Sequence, residues 1–128
     1  MPGNNELIPM EQIEPLIAEI RGQRVVIDRD LATLYATTTK KLNQAVRRNL
    51  ERFPSDFMFQ LSEAERNDLV KKFSHLNSLK HASTPPYAFT EHGVIMAASV
   101  LNSPQAVKVS VLVVRAFVKL REMLLTQK

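Results

Sequence analysis

The sequence has no cysteine, which excludes disulfide scaffolds, thiol nucleophiles and cysteine-based zinc sites together. Glycine is nearly as scarce. Gly3, Gly22 and Gly93 are too few and too scattered to build a phosphate-cradling loop. No apolar run approaches the length of a membrane span. The stretch Met1 to Glu19 carries four acids and no Lys or Arg, so the basic front end of a signal peptide is lacking. No nucleophile motif surrounds the Ser and Thr residues. His75, His81 and His92 are the only histidines, and no carboxylate pattern completes a metal site around them. The expectation is a soluble, cytoplasmic protein with no catalytic residues, no metal, no cofactor and no membrane partner.

What is present fits one domain. The chain has 128 residues, 45% of them hydrophobic, enough to bury a core without staples. The net charge of +4 is unevenly placed. Residues 21–52 hold eight bases (Arg21, Arg24, Arg29, Lys40, Lys41, Arg47, Arg48, Arg52) against three acids, a local +5. Residues 103–128 form a second basic block, five bases against one acid. A localised basic block is the electrostatic footprint of a polyanion partner, although solvated basic helix faces are common.

Punctuation along the chain predicts the elements. Met1 to Asn5 reads as a frayed start, and residues 1–15 as a lead segment before one domain over 16–125. Leu16–Ile20 and Val25–Ile27 flank Arg21-Gly22-Gln23 and predict a β-hairpin, with Gly22 supplying a positive φ. Asp28 stands where an N-cap belongs, before Leu31, Leu34 and Tyr35 at helical spacing. A second helix is expected from Thr38 to about Arg52, stopped by Pro54. Phe57–Leu61 reads as a short strand. Ser62 with Glu65 has capping-box spacing and opens a helix to about Phe73. Ser74 to Pro86 reads as one long loop, and Tyr87–Phe89 as a strand. Thr90 caps a helix to about Leu101, and Ser103-Pro104 starts the last one. Val107, Val109, Val111, Val113 and Val114 favour strand there, but Lys108, Arg115, Lys119 and Glu122 fall on one helical face, and the helical period prevails. Val107, Val111, Val114 and Val118 form an apolar face expected to pack into the domain rather than to form a dimer seam.

The stretch Asp30 to Asn49, DLATLYATTTKKLNQAVRRN, has the spacing of a helix-turn-helix. Ala32 is small where the helices touch, Leu31, Tyr35, Leu42 and Ala45 are apolar, and the turn falls at Ala36-Thr37. Glycine is commoner at Ala36, because the left-handed conformation expected there costs an alanine roughly 1 kcal/mol. On the second helix Leu42, Ala45, Val46, Leu50 and Phe53 define a core face. Lys40, Asn43, Gln44 and Arg47 define an opposite face suited to DNA base edges, since Asn or Gln pairs with adenine and Arg with guanine. Lys41, Arg48 and Arg52 form a neighbouring row placed to neutralise phosphates.

These residues also carry a resemblance. IRGQRVVIDRDLATLYATTTKKLNQAVRRNLERFPSDFMFQLS, then PYAFTEHGVIMAASVLNS, then VVRAFVKLRE resemble the phage ORF-six N-terminal (ORF-six-N) domain, a relative of the KilA-N and Bro-N domains. The resemblance covers about Ile17 to Glu122. It implies a DNA-binding domain of phage and prophage regulators, including antirepressor-like proteins. Such domains often precede a variable C-terminal domain, which is not expected in this chain. The expected fold is a mainly helical α+β domain, winged-helix-like: N-terminal β-hairpin, helix-turn-helix, short strands and two C-terminal helices. The expected function is sequence-specific binding of double-stranded DNA in transcription regulation. The alternative is a protein-interaction module that grips a repressor protein through the same basic helix. A homodimer spanning two half-sites is a further expectation of the helix-turn-helix class.

Overall fold

The computed structural model describes residues 9–126, so the frayed start expected at Met1–Asn5 lies outside it. The chain enters through a one-turn helix, α1 (Met10–Ile13), continued by a 3-10 turn at Glu14–Leu16. Ile13 is fully buried in the main core, so this part of the lead segment is packed on the domain. The predicted hairpin follows as β1 (Ala18–Ile20) and β2 (Gln23–Ile27). Its two-residue turn places both Arg21 (φ 57°) and Gly22 (φ 74°) in the left-handed region, the geometry that matches the twist of paired strands. Arg21 tolerates this because its guanidinium is well held. It donates to both Glu65 carboxylate oxygens (2.8 and 3.0 Å) and lies 4.3 Å from the centroid of the Phe59 ring. The hairpin tip is therefore fastened to the body rather than extended as a wing.

Next come α2 (Asp28–Leu34), α3 (Thr39–Arg47), a 3-10 turn at Leu50–Arg52, and β3 (Met58–Gln60). Helix α4 (Glu63–Lys72) opens with the predicted capping box, Ser62 and Glu65 each accepting from the other's backbone N–H. The stretch read as one long loop is not wholly irregular, since Ser74–His81 winds as a 3-10 helix around the buried Leu76. Strand β4 (Tyr87–Phe89), α5 (Glu91–Leu101) and α6 (Pro104–Thr126) complete the chain. Thr90 and Ser103 cap α5 and α6 as expected, accepting from Gly93 and Ala106 N–H.

The strands form one antiparallel sheet in the order β1-β2-β4-β3. Period-two alternation divides its side chains between two layers. Val26 and Phe89 join the larger core with residues of α2, α3, α5 and α6. Val25, Ile27 and Ala88 face the smaller core with Phe59, Leu61, Leu69 and Leu76. The α+β class and its order of elements are thus as the sequence implies. The last helix departs from expectation in one respect. Its core face is Ala106, Val109, Val113, Ala116 and Phe117, while Val107 and Val111 stand half exposed.

Candidate nucleic-acid interface

Strand β2 runs straight into α2, and this corrects the expected cap. Ile27 occupies the N-cap position with no side-chain bond, and Asp28 is the first helical residue. The Asp28 carboxylate turns inward instead, where Oδ2 accepts from Asn43 Nδ2 (3.1 Å) and Tyr87 N (3.3 Å). Burial pushes the Asp28 carboxyl above the usual carboxylate range, and these hydrogen bonds oppose that rise. One side chain thereby ties the start of α2 to α3 and β4.

At its other end α2 closes on Ala36, whose φ of 56° confirms the left-handed turn. Ala36 N donates to the Thr33 carbonyl and Thr37 N to the Ala32 carbonyl, the paired bonds of a Schellman motif. Thr38 then caps α3, its Oγ1 accepting from Lys41 N at 3.0 Å. Leu42 and Val46 of α3 are buried in the core with Leu31, Tyr35 and Val94. The Tyr35 hydroxyl donates to the Val94 carbonyl at 2.9 Å, linking the end of α2 to α5, and burial raises its pKa.

Helix α3 is shorter than the sequence suggests. Asn49 leaves helical geometry at φ −138°, and its side-chain amide donates to the Ala45 carbonyl at 2.8 Å. That bond satisfies a carbonyl at the helix end and lets the chain turn before Pro54. Leu50 is consequently 56% exposed, not a core residue, although Phe53 is buried. Leu50 forms one wall of a recess of 170 Å³ with Val46, Met58 and Tyr87, and Asn43 and Arg47 complete its lining. Arg52 is exposed but lies on the following 3-10 turn, outside the helical row that Lys41 and Arg48 form.

Of the expected base-facing set, Lys40, Gln44 and Arg47 are exposed. Asn43 is not free to face outward in the same way. It is partly buried, and its amide is committed to Asp28. Lys41 and Arg48 are exposed beside the others. At 3.6 residues per turn, Lys40, Lys41, Gln44, Arg47 and Arg48 share an arc of about 120°, with Asn43 beyond its edge. None of the five makes a side-chain hydrogen bond or ion pair with the described residues, and α3 itself contains no acid. Many bases elsewhere are engaged: Arg21 with Glu65, Lys72 with Asp68, Lys119 with Glu14 and Arg121 with Glu91. The outer face of α3 therefore carries four uncompensated cations around Gln44. Chemically it offers bidentate and point-charge donors to an anionic, hydrogen-bonding surface.

The Asp28–Asn43 contact is the functional detail that the sequence reading missed, since fifteen positions separate the partners. Its faint signal is an acid at the entrance to an apolar helix, a place where burial demands a donor. All three histidines are exposed, and two of them make specific contacts. His75 Nε2 lies 3.0 and 3.1 Å from the Asp30 carboxylate oxygens, and His92 stacks on Phe57 with ring centroids 5.5 Å apart. Among the described residues no group of three or more His, Asp and Glu is arranged to hold a metal ion. No helix among them is long and apolar enough to cross a membrane.

The fold is an α+β domain in which a tight turn joins α2 to α3. The chain belongs to the ORF6N domain family, whose sequence profile matches residues 15–100. That span includes the hairpin and α2 to α4 and reaches Val100 in α5, leaving α6 outside. No curated protein and no solved structure matches the chain.

Proposed function

We propose that the domain binds double-stranded DNA through the outer face of α3 and acts by binding rather than catalysis. The observation that carries the reading is the set of unpartnered cations on the outer face of a helix that follows a tight turn and packs its other face on the core. Lys40, Gln44 and Arg47 are suited to base edges in the major groove, and Lys41 and Arg48 to phosphates. Arg52, on the next turn, is placed for a peripheral phosphate contact. Asn43 fixes the helix rather than reading sequence. The family resemblance supports a phage- or prophage-type transcription regulator working in the cytoplasm, and no cofactor is required by this reading.

Selection of bound sequences from a random duplex pool tests it. The expected result is an enriched motif whose preference is relaxed at one position by Arg47→Ala, a loss of about 1–3 kcal/mol in discrimination. Lys41→Ala should weaken all sequences alike. Recovery of no duplex even at low salt would defeat the proposal and favour the protein-interaction alternative.

A further inference from the structure

The outer surface of α6 presents a seam that the domain itself leaves uncovered. Val107, Val111, Val114 and Val118 are spaced 4, 3 and 4 apart, the alternation of a and d positions in a heptad. Val107 and Val111 are 50% and 48% exposed, and Val114 and Val118 are partly exposed and outside both core clusters. Arg121, ion-paired with Glu91, takes the next position of the line, and Leu125 follows it at 66% exposure. The inner face of the same helix, Ala106, Val109, Val113 and Ala116, is fully buried at the complementary spacing. Helix α6 thus carries two apolar faces, only one of which the domain covers.

The charges beside the seam define what fits it. Lys108 and Arg115 run along one edge, exposed and without an acidic partner among the described residues, with Glu122 following at the end of the row. A second copy laid antiparallel is a poor match. The antiparallel register that lays Val107 on Val118 and Val111 on Val114 brings Lys108 of each copy toward Arg115 of the other. From Val107 to Val118 the stripe is also narrow and made of valine, unlike the broad apolar face of a helix lying in a lipid surface. We propose that the outer face of α6 is a docking site for an amphipathic helix of another protein, one with an apolar seam flanked by Glu or Asp. The site stands independently of the reading of α3.

The probe is a synthetic helical peptide with leucine on the seam and glutamate on both flanks, compared with a peptide carrying lysine flanks. The full chain should bind the glutamate peptide and not the lysine peptide. Val107→Asp with Val111→Asp should abolish binding while circular dichroism reports an unchanged fold, because both side chains lie outside the core. Lys108→Glu with Arg115→Glu should weaken the glutamate peptide about tenfold and confer binding of the lysine peptide, a swap that unfolding cannot imitate. Absence of binding, or equal binding of both peptides, would overturn the proposal. So would a sedimenting dimer that Val111→Asp dissociates, or binding to anionic phosphatidylserine vesicles in place of the peptide.

Discussion

Helices α3 and α6 each bury one face, yet their exposed faces are opposite in kind. On α3 the buried anchors are Leu42 and Val46, and the outer arc holds four cations and a glutamine. On α6 the outer arc mixes a valine seam with a basic edge. An uncompensated polar face gains little from protein packing and much from a polyanion, whereas an apolar seam gains only by being covered. Under the two proposals the helices separate two tasks. The face within the family-matched residues is read as the DNA surface, and the face beyond them as a protein surface.

The sharpest way to break this separation is to strip α3. Lys41→Ala, Arg47→Ala and Arg48→Ala together should lower duplex affinity by about a hundredfold or more, as three contacts of 1–3 kcal/mol would. The α6 pair Val107→Asp and Val111→Asp should leave duplex affinity within about threefold. Gel-shift titration compares the two, and equal losses would remove the distinction. The support beneath α3 comes next. A Cβ on Gly93 would lie 1.9 Å from the Phe57 carbonyl oxygen, so Gly93→Ala should destabilise the fold by about 3 kcal/mol in urea titration. A loss below 1 kcal/mol would show that α5 and the Phe57 backbone part easily.

Asn43 sharpens the division between holding and reading. Asn43→Ala leaves a buried carboxylate short of a donor and should cost about 1–3 kcal/mol of stability. Its DNA preference should stay unchanged; a relaxed position in the selected motif would return Asn43 to the reading face. Ala36→Gly should have a smaller effect of the opposite sign, a gain of up to about 1 kcal/mol, because glycine occupies the left-handed turn without strain. The pairing of Glu65 with Arg21 adds a pH dependence. The Arg21 guanidinium and the Ser62 backbone N–H hold the Glu65 carboxyl down at about 2. Its folded pKa lies below the unfolded value, so its contribution is complete above the usual carboxylate range and is lost as pH falls toward 2. Wild type should therefore exceed Glu65→Gln in thermal stability at neutral pH, and the difference should shrink steadily in acid. A constant difference would contradict the assigned pairing.

Much of this arrangement was legible in the residues because its determinants are local. Ser62 with Glu65, Thr90, and Ser103 before Pro104 announce their helices through caps that need no distant partner. The stripe of Lys40, Gln44 and Arg47 likewise follows from backbone period alone. The failures are tertiary. Asn43 falls on the polar side of its helix, and only the approach of Asp28 and β4 reveals that its amide is engaged there. Leu50 continues the apolar period, but Asn49 breaks the helix before that period can act. On α6 two valine faces are available to sequence, and the position of α5 decides which is buried.

The central claim is that the outer face of α3 binds duplex DNA. The most direct test is the affinity of the full chain for one mixed-sequence duplex measured across a salt series, with Lys41→Ala/Arg48→Ala alongside. The logarithm of the binding constant should fall linearly with the logarithm of salt, and the double substitution should make the slope shallower by about 2. Affinity that ignores salt, or a variant that keeps the wild-type slope and strength, would contradict it.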